Sequence, residues 1–413
     1  MTTITDIRAP AAMRSRPKIA TRLLLLVAMT FLVMLADPRD TALGLSTTQQ
    51  FIPAMLALLA GAMYLIAGFR PVGGFTWQDL FLGMFIGFVF VGGNATAMSG
   101  TLAESFANLS YISLIYFPFR LMASQPDELD WFVRRFGPFI VLTGLAISVQ
   151  LIIWQVTGPY FEQRSGIYHI YHEEVFLLLA AIAYAATSFD KRPMLRGFVI
   201  ALLLVGELFS FKNTGFIIAV LSILFLFSLP AASGARQSAR GILRPIVGFY
   251  VLWAGVVALI LLPYYQDALP DGSTHVRFYT YQIRWQQFLD SPLFGQMFQG
   301  SPRLMVPNTN LYIPSHSDLL DLFAFGGLFG ALMFGGPLLS FLAGLRGLRR
   351  AGTERVSWIF GYAMLIGLVV VWTFNPVWLQ PKMSAILWIA LAILAGNHAR
   401  RLRAGPIHGE PHA

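Results

Sequence analysis

Apolar runs close to the length needed to cross a bilayer alternate with short polar, often basic, segments along almost the whole chain. The pattern predicts twelve membrane spans, at about 20–36, 51–69, 79–99, 104–123, 137–157, 174–189, 194–211, 213–230, 246–263, 318–345, 356–374 and 384–397. Glu104, Ser105 and Asn108 dilute the fourth, and the sixth is short. The first run follows the basic stretch Arg14 to Arg22, ends at Leu35-Ala36-Asp37, and reads as a retained helix rather than a cleaved signal. Residues 1–413 are expected to form one membrane domain, with tails at 1–19 and 398–413 and one large loop at 264–316 between the ninth and tenth spans.

Composition agrees with the pattern. Of 413 residues, 56% are hydrophobic and 12% charged, and the mean hydropathy is +0.64, against about 25% charged in soluble domains. The expected fold class is all-α: a polytopic integral membrane protein of about twelve transmembrane helices. With no cysteine, disulfides, thiolate metal sites and cysteine nucleophiles are excluded. The net charge of +9 does not point to nucleic acid, because the basic residues lie between spans, where they set orientation. With the N-terminus placed inside, only seven of the 29 Lys and Arg residues fall outside: Arg39, Arg164, Lys212, Arg277, Arg284, Arg303 and Lys382. One missed span would scramble this asymmetry, so both termini are expected in the cytoplasm and the large loop outside.

The exceptions to the positive-inside rule carry the candidate chemistry. Arg277, Arg284 and Arg303 lie in the large loop, whose segment 275–290 places Arg277, Tyr281 and Arg284 at helical spacing beside Phe278, Ile283, Trp285 and Phe288. It reads as an amphipathic helix along the outer membrane surface, either an aromatic anchor with arginines on lipid headgroups or an anion-binding element. Arg164 sits in QRSGIYHIYHEE; Lys212 sits between two closely spaced spans, after the intramembrane Glu207. These cations are either interfacial anchors or a group converging on phosphate, where a guanidinium bonds in a bidentate fork and Lys212 acts as a point charge. His169 and His172, followed by Glu173 and Glu174, share a helix face but lack the HExxH spacing of a zinc protease. They read as a polar patch, and no metal or cofactor is expected. There is no P-loop, no dinucleotide-binding glycine motif and no nucleophile elbow.

At the end of the loop, Pro314 precedes Ser315 and Asp318, which form an S-x-x-D capping box. That box puts His316 in the first turn of the tenth span, where the positive end of the helix dipole disfavours an imidazolium. His316 is a candidate general base; the alternative is an interfacial histidine that touches a loop carbonyl.

Together these residues resemble the O-antigen ligase and polysaccharide polymerase superfamily of bacterial inner-membrane glycosyltransferases. The signature histidine, a following Asn, Ser or Gln, and two spaced small residues correspond to His316, Ser317, Gly327 and Gly330. The upstream arginine-aromatic pair and "sPlfG" turn correspond to Arg284-Trp285 and Ser291-Pro292-Leu293-Phe294-Gly295. QRSG at Arg164 to Gly166, NPVWLQP from Asn375 to Pro381, and the span-and-loop topology extend the likeness over the chain. Departures are Phe211-Lys212 in place of Ser-Arg, Ser317 in place of the commoner Asn, and Phe325 in place of a frequent glutamate.

The resemblance implies a GT-C-like membrane fold and metal-independent glycosyl transfer at the periplasmic face. The donor would be an oligosaccharide on undecaprenyl pyrophosphate, and the acceptor a glycan or lipid A core, with a flippase and a chain-length regulator as partners. His316 would be the catalytic base, and Arg164, Lys212, Arg277 and Arg284 would bind the diphosphate. Gly326, Gly327, Gly330, Gly335 and Gly336 would allow close helix approach for the lipid tail. Three functions compete: a polymerase of exopolysaccharide or O-antigen repeats, which is favoured; a ligase; and a transporter of lipid-linked glycan. The last fits less well, because the mid-span regions are nearly free of charge apart from Glu207.

Overall fold

A computed structural model describes residues 18–36, 51–69, 74–97, 106–157, 174–189, 192–210, 213–228, 273–299, 303–305, 312–314, 317–344, 353–375, 377–378 and 380–403. The described elements are α1 (Ile19–Ala36), α2 (Phe51–Ile66), α3 (Trp77–Ala97), α4 (Phe106–Ser113), α5 (Tyr116–Ala123), α6 (Pro126–Thr157), α7 (Phe176–Ser188), α8 (Pro193–Phe209), α9 (Asn213–Ser228), α10 (Ser273–Asp290), β1 (Arg303–Met305), β2 (Tyr312–Pro314), α11 (Asp318–Gly344), α12 (Thr353–Phe374) and α13 (Pro381–Arg403). Six helices, α1, α3, α6, α11, α12 and α13, contain stretches long and apolar enough to cross a bilayer, and α2, α7 and α9 are shorter apolar helices. The chain is a helical membrane protein.

Helices occupy the predicted spans among the described residues, with three differences. The ninth span, 246–263, lies outside the described residues. The fourth is two helices of 8 residues each, α4 and α5, separated by a turn at Leu114 and Ile115. Pro118 has no N–H to give the carbonyl of Leu114, so the helical ladder stops there; Phe117 N–H bonds that carbonyl instead, at 3.3 Å. The fifth span is the C-terminal part of the 32-residue α6, which opens on Pro126 with Asp127 and Glu128 in its first turn, both favourable at a helix N-terminus. The short antiparallel pairing of β1 with β2, Arg303 opposite Pro314, was not foreseen.

Helices that are apolar all round belong inside a bundle. That is where α12 and α13 sit: 94% of each apolar stretch is buried. α7 packs along α12, and α13 also lies against α1, α4 and α5. Residues Phe176 to Ala185 of α7 are all buried, as is Trp388 of α13. The surrounding helices instead expose large apolar side chains along one face, among them Leu26, Leu59, Met84, Leu142, Phe198, Leu328 and Leu332. In water such a surface would drive association; in a bilayer it meets lipid. Among the buried charges, Arg120 and Asp79 pair with each other. Arg120, counted among the inside cations, forks onto Asp79 with Nε–Oδ1 2.8 Å and Nη2–Oδ2 2.9 Å. The Tyr116 hydroxyl donates to the same carboxylate at 2.5 Å.

Candidate functional site

α11 begins at Asp318, later than the predicted capping box requires. Ser317 holds the cap: its Oγ accepts the Leu320 N–H at 3.4 Å and its carbonyl accepts the Asp321 N–H at 3.0 Å; Ser315 lies outside the described residues. The Asp318 carboxylate is engaged elsewhere. Its Oδ2 accepts the backbone N–H groups of both Val377 and Trp378, each at 2.6 Å. These bonds tie the start of α11 to the α12–α13 connection, the NPVWLQP segment, through a charged acceptor and two successive amides. His316 stands one residue before Ser317 in the sequence. It is itself outside the described residues.

One turn further along α11, Asp321 meets Arg284 of α10, Oδ1 to Nε 2.6 Å, with both side chains almost fully buried. The Arg284 Nη1 donates to Gln287 Oε1 at 2.8 Å, and the guanidinium carbon lies 4.6 Å from the ring centre of Phe325. The spacing Asp321–Phe325 is i,i+4, so anion and ring present adjacent surfaces to one arginine. Arg284, expected among the diphosphate-binding cations, is held here by Asp321, and the pair joins α10 to α11. The Phe325 ring covers the guanidinium.

A second buried pair lies at the starts of α7 and α13, where Lys382 Nζ is 3.2 Å from Glu174 Oε1. Lys382 was one of the seven outward cations, and Glu174 closed the HxxHEE segment. His169, His172 and Glu173 lie outside the described residues. Glu207 is fully buried on α8 and accepts a hydrogen bond from Ser222 Oγ of α9 at 2.7 Å. Lys212 and Arg164 lie outside the described residues. Arg277 is on α10, two turns before Arg284; its side chain is outside the described residues. The structure thus brings together Arg284 and the start of α11.

The two glycine-bearing motifs meet each other. α11 is broken at Gly327, whose φ 59° and ψ −161° are accessible essentially to glycine alone. Into the break fits the turn 291–299 that follows α10. Gln296 N–H bonds the Ala324 carbonyl and Phe298 N–H that of Phe325, both at 3.0 Å. In return, Leu328 and Phe329 N–H groups bond the Pro292 and Leu293 carbonyls, both at 2.9 Å. Backbone lies on backbone: a Cβ on Gly327 would stand 2.5 Å from Gly295 N and from Leu293 O. Gly295, at φ +57°, is equally confined: a Cβ there would stand 2.6 Å from Ala324 O. From the turn, Phe298 enters an aromatic cluster with Phe85, Phe88 and Phe106, ring centres 5.6, 5.4 and 5.2 Å away. Gly326 faces the Phe298 ring, Gly336 touches Trp77 and Phe81 loosely, and Gly335 meets nothing within 4 Å. The close approach at these glycines is therefore centred on Gly295 and Gly327, and it is made by a turn rather than by a second helix.

Sequence reasoning missed Asp321, the pairing of Glu174 with Lys382 and the bonding role of Asp318. The available signal was a carboxylate in an otherwise apolar helix beside an outward cation, since such a charge needs a partner. No family model matches the chain, and no curated protein sequence matches it.

Proposed function

We propose that the chain transfers a glycan from undecaprenyl pyrophosphate to a sugar hydroxyl at the outer face of a bacterial inner membrane, polymerising exopolysaccharide or O-antigen repeats. In this reading it spans the membrane twelve times with both termini inside and residues 264–316 outside. The observation that carries the reading is the interlock of Ser291–Gly295 with Gly327. Two short motifs of the resemblance, far apart in sequence, fit each other backbone to backbone. Asp318 and Asp321 then hold the helix start that follows His316 against two other elements.

In the proposed reaction His316 takes the proton of the acceptor hydroxyl, whose oxygen attacks the anomeric carbon as the bond to the diphosphate oxygen breaks. The polyprenyl diphosphate leaves with the bonding electrons. Arg164, Lys212 and Arg277 stabilise its growing charge, a task in which fixed cations act directly on the transition state. The diphosphate is already an activated leaving group, so no nucleotide takes part.

Reconstitution in vesicles with an undecaprenyl-pyrophosphate-linked repeat unit tests this, with and without lipid A core. Lengthening of the glycan without core supports polymerisation. Transfer only in the presence of core makes the protein a ligase. Movement of the lipid-linked glycan across the bilayer with no new glycosidic bond replaces transfer with transport.

A further inference from the structure

The turn 291–299 has two faces. One is docked: its backbone is bonded into the break of α11, Phe298 is buried in the aromatic cluster, and a Cβ on Gly92 of α3 would fall 1.7 Å from the Met297 carbonyl oxygen. The other face carries Leu293, Phe294 and Met297, exposed by 63%, 49% and 43%. These side chains continue the exposed apolar surface of α11 at Leu328 and Leu332, and that of α3 at Phe90 and Val91. Phe294 also packs against Phe329, ring centres 5.5 Å apart and tilted by 50°.

The depth of this face can be read from two helices independently. Gly327 is about 14 Å along α11 from Asp318 at 1.5 Å per residue. Phe88, which receives Phe298, lies about 14 Å back from the far end of α3 by the same rise. The headgroup region on each side of a bilayer is only about 5–8 Å thick, so both readings put the turn beyond it. Irregular backbone at that depth persists only where its polar groups are satisfied by protein. Here most of its N–H groups are: those of Gly295, Gln296, Met297, Phe298 and Gln299 bond Ser291, Ala324, Phe294, Phe325 and Gln296 carbonyls, and Pro292 has no N–H to satisfy. The positive φ of Met297 and Phe298, both 54°, turns the chain back within this short distance.

We infer that residues 291–299 form a re-entrant segment that dips from the membrane surface into the hydrocarbon of one leaflet and presents Leu293, Phe294 and Met297 to the acyl chains. The amphipathic α10 is then the surface-lying arm that leads into it, and the inference stands apart from any catalytic role.

The absence of cysteine permits a direct test with single cysteines at Leu293, Phe294 and Met297, each carrying a nitroxide in reconstituted vesicles. Gln286, exposed on α10, and Leu332, exposed on α11, give surface and deep references. The expected result is collision with oxygen at 293, 294 and 297 near the Leu332→Cys level, at least three times above that at Gln286→Cys, and little collision with a water-soluble nickel chelate. Nickel accessibility equal to that at Gln286→Cys overturns the inference. So does exclusion of both reagents with dipolar broadening, which would mean that a second copy of the chain covers the face. On the unmodified protein, a lipid-soluble diazirine should label the peptide containing 293–297; labelling there by a water-phase diazirine alone has the same overturning force.

Discussion

Arg284 and Asp321 are buried to within one or two percent, and a charge left without its partner at such a site costs several kcal/mol. Arg284→Gln and Asp321→Asn should each lower stability by about 3–5 kcal/mol, read as the unfolding midpoint in detergent micelles. The double variant Arg284→Met/Asp321→Leu should recover most of the loss, since an apolar pair of similar volume needs no compensation; no recovery would mean that the charge itself is functional. Asp318 gives a second contrast. Asp318→Ala orphans two buried N–H groups at about 1–3 kcal/mol each, whereas Asp318→Asn keeps an acceptor oxygen and should lose far less. At this scale the sequence was only partly legible. Lys382 and Arg284 stood out as cations on the wrong side of the ledger, but their carboxylates lay far away in the chain, at Glu174 and Asp321. Periodicity cannot pair residues that distant, so Lys382 was only counted as outside and Arg284 read as a headgroup or anion ligand.

At the scale of elements, hydrophobic pattern located the helices because each apolar stretch had to be bonded internally in lipid. It failed where a local backbone event intervened. Pro118 splits the fourth span, and Gly327 breaks the tenth in the middle of a continuous apolar run. The glycines of α11 looked equivalent in sequence, and their surroundings separate them. Gly327→Ala adds a Cβ against backbone atoms at a conformation closed to alanine, and should cost about 2–4 kcal/mol from strain and overpacking. Gly330→Ala, with its nearest neighbour at 3.7 Å, and Gly335→Ala, in open space, should be neutral or stabilising by up to about 1 kcal/mol. Thermal unfolding of the three variants under one condition checks the order. Equal losses at all three would mean that helix packing, not the docked turn, sets the need for glycine.

For the whole molecule, the same apolar composition serves two environments: α12 and α13 are enclosed by protein, while the outer helices turn apolar faces to lipid. Composition revealed the membrane but not this division, because helices buried in protein and helices facing lipid are both apolar. Orientation rests on charge, and it predicts the labelling of single cysteines in intact spheroplasts. A membrane-impermeant maleimide should modify Ser301→Cys, in the large loop, and leave Ser233→Cys, in the segment before the ninth span, unmodified until the membrane is opened. Equal labelling of the two would remove the ninth span and invert the ledger beyond it. Function is decided more directly. With lipid-pyrophosphate-linked repeat units in reconstituted vesicles, wild-type chain should form glycosidic bonds, and His316→Ala should form them about 10²–10⁴ times more slowly while retaining its unfolding midpoint. Bond formation by His316→Ala at the wild-type rate would contradict the account.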